Sequence, residues 1–389
     1  MHCFDREEEC KKLWRHFNNN ENILMLAPRR VGKTVLLNRL KEMASEQGFR
    51  AVSFDVEGVR EEKDFFREFC SAIREEQGAG AKLLTAFSDR LGRLLKGKEN
   101  PSSDWRQWLI ETDWQEFADH LLAHLNDDKG GTAWIILVDE LPIFVQALQA
   151  KGDGSAARTF LYWLRGVRQK YGNIRWIYAG SIGLDSVARR YNIEGALNDL
   201  TVFTLKTFDE KTARGFICDI AARRNCKVDE AALQEIVSRL GWLAPYYLKR
   251  IAEDSCELAL DGHSASGALS EFVEISVSCK DADAALDNML LLEKRNYWSS
   301  WREHLDRNFT EPDRGQLFAL LESVAKSPDG AGRDVLISAL AKHSPSTTET
   351  VLRNLLDVLL NDGYLELTDG RYRFQMHLLR EWWLRHVVI

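Results

Sequence analysis

Short apolar runs alternate with amphipathic helical stretches along the first half of the chain, the pattern of strands joined by crossover helices in a parallel sheet. Runs at Asn22 to Ala27, Arg50 to Asp55, Ala133 to Asp139, Ile174 to Ala179 and Val202 to Leu205 predict the strands. ILML and WIILV are apolar on both faces, as central strands covered by helices require. Between the runs, Leu36, Leu37, Leu40 and Met43 recur at helical spacing, as do Phe160, Leu161, Leu164 and Val167. An α/β unit over residues 1–208 follows. Residues 78–112 interrupt it with an extra amphipathic segment (Leu84, Phe87, Leu91, Leu94, Leu95) and the polar loop KGKENPSS, an insertion expected at the sheet's edge. Trp105 and Trp108 within it are expected to bury against neighbouring helices, with a partner surface as the alternative.

From residue 209 the strand pattern stops. Ala213, Phe216, Ile217 and Ile220 share one helical face, as do Leu233, Ile236, Val237 and Leu240, with Asp229 placed to cap the second helix. GWLAP breaks the period and another helix starts near Tyr246, so residues 209–309 read as an all-helical lid followed by linker helices. The third unit, 310–389, has helical runs at Leu317 to Val324, Val335 to Leu340 and Val351 to Leu359. GYLELTDGRYRF then gives two short strands about an Asp369-Gly370 turn. Ser346 and Glu349 form an S-x-x-E capping box for the third helix, and Gly363 follows its end. Three helices and a hairpin resemble a winged-helix domain.

Composition narrows the class. With 389 residues, 45% hydrophobic and 29% charged, the chain is globular and long enough for two or three domains. A net charge of −7 argues against a basic coat for non-specific nucleic-acid binding, leaving only a local patch. The 7 cysteines are scattered without a CxxC pair, which reads as reduced thiols in a cytosol. The acidic MHCFDREEEC start and the lack of a long apolar run predict a cytoplasmic protein with no membrane partner.

The decisive segment is APRRVGKT, between the strand ILML and an amphipathic helix. It matches G-x-x-x-x-G-K-[ST], the P-loop, except that Ala27 stands for the first glycine. Such a loop turns backbone N–H groups and a helix N-terminus toward phosphate, so the expected cradle is Ala27, Pro28, Arg29, Arg30, Val31, Gly32, Lys33, Thr34 and Val35. Lys33 would reach the β and γ phosphates of ATP, and Thr34 would offer its hydroxyl to Mg²⁺. Arg29 and Arg30 add charge near phosphate, dock against the lid, or face solvent.

WIILVDE supplies the second half of the site. In a P-loop sheet this strand is expected beside the first, with Asp139 holding Mg²⁺ and Glu140 polarising the attacking water. The fourth strand ends in YAGSIG, placing Ser181 for the γ phosphate or the lytic water, or as the turn and cap of the next helix. Arg189 and Arg190 in DSVARRY suit either a finger acting in trans in an oligomer or a solvated helix face.

Taken in order, DREEECKKLW, APRRVGKT, ILVDELP, GSIGL, LAPYYLK and FQMHLLREWWLRH resemble the archaeal-type ATPases within the STAND and AAA+ region of P-loop proteins. The resemblance implies an ATPase core, a helical lid and a C-terminal winged helix, with ATP as ligand and Mg²⁺ as cofactor. The lid motif of these proteins has a glycine and a proline close together. Here Trp242, Leu243 and Ala244 separate Gly241 from Pro245, which the resemblance places at the adenine pocket.

Three functions fit: a slow ATP-hydrolysing switch that docks a protein partner, a DNA-bound ATPase regulator of the initiator, transposition or defence type, and a scaffold that keeps ATP or ADP unhydrolysed. DNA is the weaker partner, since residues 310–389 carry nine Lys/Arg against eleven Asp/Glu. TTETVLRNLLDVLL, at the recognition-helix position, offers Arg353 against Glu349 and Asp357, leaving Arg371 and Arg373 on the hairpin.

Overall fold

The computed structural model describes residues 4–76, 80–94, 104–127, 132–152, 154–180, 183–265, 274–343 and 349–388. Its contacts divide the chain into two units, residues 1–27 with 33–205, and residues 28–32 with 206–389.

In the first unit, α1 (Glu7–Asn18) precedes β1 (Asn22–Leu26) and α2 (Lys33–Met43). Next come β2 (Phe49–Asp55), α3 (Glu62–Arg74), α4 (Gly80–Leu94), α5 (Trp105–Glu111) and α6 (Trp114–Asn126). The unit continues with β3 (Ala133–Asp139), α7 (Leu141–Gln149), α8 (Ser155–Lys170), β4 (Ile174–Gly180), α9 (Leu184–Arg190) and β5 (Leu200–Thr204). All five strands are parallel, in the order β2-β3-β4-β1-β5. The central strands are apolar because both faces are covered: every residue of β4 is buried, and so is every residue of β3 after Ala133.

One expectation is corrected here. The strand carrying Asp139 does not lie beside β1; β4 runs between them. Periodicity marks a strand but carries no record of its neighbour, which depends on where each crossover helix lands. At about 4.8 Å per strand step, roughly 10 Å separates β1 from β3.

The insertion packs into the core. Leu84, Phe87 and Leu91 on α4 and Trp105 and Trp108 on α5 join the same buried cluster as Phe65 and Phe117. The loop KGKENPSS lies outside the described residues.

The second unit holds α10 (Glu210–Ala222), β6 (Cys226–Val228), α11 (Glu230–Leu240), α12 (Pro245–Ala265), β7 (Ile275–Val277), α13 (Cys279–Met289) and α14 (Asn296–Asn308). The expected all-helical lid is therefore corrected: β6 and β7 pair in parallel across the long α12 connection. Three-residue strands are too short to show a period. Asp229 occupies the N-cap of α11 without a side-chain capping bond, its carboxylate accepting from the Ser276 hydroxyl instead (2.6 Å).

The chain then forms α15 (Asp313–Ala325), α16 (Arg333–His343), α17 (Glu349–Asn361), β8 (Leu365–Thr368), β9 (Arg371–Phe374) and α18 (His377–His386). The β8–β9 hairpin turns on Asp369 and Gly370, both at positive φ (54° and 74°), and Ala331 bridges to Tyr372 on its outer edge. Ser346, and with it the capping box, lies outside the described residues. Aromatic packing holds this part: the Tyr364 and Trp301 rings meet at 4.8 Å, and Trp301 Nε1 donates to the Tyr247 hydroxyl (2.6 Å). No helix among the described residues is long and apolar enough to cross a membrane.

Candidate functional site

The first unit gathers four of the expected residues. Lys33 opens α2, only 9% exposed, and its Nζ stands 2.8 Å from Asp139 Oδ1 and 2.5 Å from Glu140 Oε1. Thr34 Oγ1 donates to Asp139 Oδ2 at 3.0 Å. The four-carbon stem of the lysine thus reaches across the end of β4 to the tip of β3.

Local backbone chemistry aims the two acids. The Asp139 carboxylate accepts the Glu140 N–H (2.9 Å), and Glu140 sits in the left-handed region at φ 58°. A bulky residue rarely adopts that conformation. It turns the chain off the sheet end into α7, where Pro142 takes a first-turn position that needs no N–H donor.

Asp55 is a third acid at this edge, and the sequence reading gave it no role. It ends β2 in register with Asp139, and the next amide, Val56 N–H, donates to the Asp139 carbonyl (3.1 Å). Loss of solvation pushes the Asp55 carboxyl above its ordinary range, and the charges of Asp139 and Glu140 push the same way, while a hydrogen bond from Glu57 N–H opposes them. The available signal was that FDVEG, like LVDE, closes an apolar run with an acid.

Within the phosphate-loop motif, the left-handed positions are Arg30 (φ 69°) and Gly32 (φ 92°). Ala27 is not among the residues at positive φ, so its backbone makes no demand for glycine. Val31 is fully buried. Val35, the next residue after Thr34, lines a cleft of about 510 Å³ between α1 and α2, together with Arg6, Cys10, Asn38 and Met43.

Pro28 to Gly32 group with the second unit, and Arg29 and Arg30 have partners there. Arg29 donates to the Ser300 carbonyl (3.3 Å) and Arg30 to the Ser300 hydroxyl (3.1 Å). The Arg30 guanidinium lies 4.0 Å from the centre of the Tyr246 ring, and the Arg30 carbonyl accepts the Tyr246 N–H (3.4 Å). Pro245 is the first residue of α12, immediately before this tyrosine. Arg189 and Arg190 end α9 with exposed side chains. Ser181 lies outside the described residues.

Sheet order, strand–loop–helix and paired acids together define a P-loop fold of the AAA+ type. Among solved structures the chain is similar to the Walker-type ATPase PABY2304 of Pyrococcus abyssi, with a TM-score of 0.66 at 19% identity over 98% of this chain and 95% of that one. It is also similar to the Aeropyrum pernix ORC2 protein in its ADPNP–ADP complexes, with a TM-score of 0.58 at 14% identity over 98% of this chain and 93% of that one. At these identities the likeness is one of fold. No protein-family model matches the chain. No curated protein matches it in sequence.

Proposed function

We propose that this chain binds ATP with Mg²⁺ and hydrolyses it slowly, as a nucleotide-controlled switch. The observation that carries the reading is the convergence of Lys33 and Thr34 with Asp139 and Glu140, residues more than a hundred positions apart in sequence. In this reading the amides of Ala27 to Val35 cradle the phosphates and Lys33 Nζ exchanges carboxylate oxygens for β and γ phosphate oxygens. Ser181 keeps its proposed role at the γ phosphate, and Pro245 its place at the adenine.

Thr34 Oγ1 and Asp139 Oδ2, two hard oxygens 3.0 Å apart, suit Mg²⁺, which binds through one or two protein oxygens alongside water and phosphate. Bound there, the ion would neutralise charge on the β and γ phosphates. Glu140 orients a water molecule in line with the γ phosphorus and accepts its proton as the bond to the ADP oxygen breaks.

The proposed division is an ATPase domain (1–208), a lid with linker helices (209–309) and a winged-helix-like domain (310–389). A protein is the favoured partner of the last. On its hairpin, Arg371 is held by the Gly330 carbonyl (3.1 Å) and Arg373 by the Asp329 carbonyl (3.2 Å), which ties their guanidinium groups to the adjoining loop.

Calorimetry with Mg²⁺ and ATP, alongside a phosphate-release assay, tests the reading. Expected are binding and turnover by the native protein, binding without turnover by Glu140→Gln, and no binding by Lys33→Ala. Turnover by Glu140→Gln equal to the native rate would remove the hydrolytic role, and ATP retained unhydrolysed by native protein would favour a scaffold.

A further inference from the structure

Two consecutive arginines inside a phosphate loop are not required by the loop's own chemistry. That chemistry needs amides, one ammonium and one hydroxyl. What the arginines touch is therefore informative. Arg30 meets Tyr246 twice, through its carbonyl (3.4 Å) and through its guanidinium over the ring (4.0 Å), and then reaches Ser300 on α14 (3.1 Å). Arg29 reaches the carbonyl of the same serine (3.3 Å). On the other flank, a Cβ placed on Gly363, just after α17, would stand 3.1 Å from the Cβ of Pro28, so the backbone there closes tightly on the loop.

Arg30 also holds a φ of 69°, a conformation that costs an ordinary residue about 1 kcal/mol and persists only where surrounding contacts fix it. Fixing it orients the amides on either side of Arg30. Two residues later the chain reaches Gly32, and then Lys33 and Thr34.

We propose that Arg30 is a positioning residue: clasped by Tyr246 and Ser300, it sets the conformation of the phosphate loop, so that the state of the clasp tunes nucleotide affinity. The proposal rests on the reading that residues 27–35 bind ATP, and it names the regulation of that site. A loop already held in the binding conformation spares the nucleotide the cost of ordering it. Coupling of this kind is reciprocal, so bound nucleotide strengthens the clasp by the same factor.

The test combines calorimetric ATP binding with amide hydrogen exchange at Tyr246, in the full-length protein with Mg²⁺. Arg30→Ala and Tyr246→Ala are each expected to weaken ATP binding about tenfold, the scale of one partly buried cation–π contact. The double variant should be no weaker than either single one, because both break one clasp. Tyr246→Ala removes no charge, so its loss separates positioning from simple attraction of phosphate. Tyr246→Phe keeps ring and amide and should restore native affinity. ATP should slow exchange of the Tyr246 amide in native protein and leave it unchanged in Arg30→Ala; a merely structural contact would not respond to nucleotide. Native affinity in folded Tyr246→Ala, or additive losses in the double variant, would overturn the clasp while leaving ATP binding intact. Absence of ATP binding by native protein would overturn both.

Discussion

Asp55 and Asp139 close neighbouring strands as register partners, so a third carboxylate stands at the edge of the Lys33 site. The Asp55 carboxyl is raised, chiefly by lost solvation and then by the charges of Asp139 and Glu140. A raised acid binds its proton more tightly in the folded state than in the unfolded chain. The folded state therefore loses stability as pH rises from the ordinary carboxylate range through the raised value. Asp55→Asn keeps an oxygen for the Glu57 N–H and removes the charge. It is expected to melt higher than native protein at pH 7 and at the same temperature near pH 3, as checked by thermal denaturation at both. Equal shifts at both pH values would sink this assignment.

Lys33 forms ion pairs with both Asp139 and Glu140. Replacing it with methionine keeps the stem but removes the cation between buried Asp139 and half-buried Glu140, which should cost about 3 kcal/mol at neutral pH. Urea unfolding at neutral pH measures it; a deficit under about 0.5 kcal/mol, the range of ordinary surface substitutions, would contradict the pairing.

Arg168 and Asp199 supply a pH dependence of opposite sign. Arg168 Nε and an Nη donate to the two carboxylate oxygens at 2.8 and 2.7 Å, and the same guanidinium donates to the Ala196 carbonyl (2.7 Å). Burial pushes the Asp199 carboxyl up, but the hydrogen bond and charge of Arg168 outweigh it and hold the group below its ordinary value. Such a group stabilises the fold above its unfolded pKa of about 3.9, and that contribution disappears as pH falls through the folded value. Arg168→Ala should lower the melting temperature at pH 7 and flatten the decline between roughly pH 5 and pH 2. An unchanged acid limb would show that Asp199 does not depend on this arginine.

His304 and Asp362 form a buried pair in the second unit, with Nε2 and Oδ2 2.9 Å apart and both side chains nearly inaccessible. The other Asp362 oxygen, Oδ1, is buried and has no hydrogen-bond partner among the described residues. His304→Ala would leave the whole carboxyl unsatisfied, at a cost of about 2 to 4 kcal/mol. Chemical denaturation measures it, and a loss under about 0.5 kcal/mol, the range of ordinary surface substitutions, would rule the pair out as a structural tie.

Periodicity in the first half of the chain was legible because an element's own residues create it. Phe160, Leu161, Leu164 and Val167 are all buried on one face of α8, as their spacing requires. Cys226 to Val228 and Ile275 to Val277 were not legible, since each strand is three residues long and its partner lies across α12. The hairpin after Tyr364 was legible because Asp-Gly supplies both positive φ values within one turn.

Local chemistry therefore determined the strand–loop–helix at residues 22–43, the acids at the end of β3 and the α/β character of the first unit. Those properties depend on side chains a few positions apart. Tertiary structure alone decided that β4 separates β1 from β3, that Asp55 joins Asp139, and that Arg30 rests on Tyr246 and Ser300. Each of these pairings is made over long sequence separations, where the route of the connections and the burial of intervening side chains choose the partner and no local pattern encodes it.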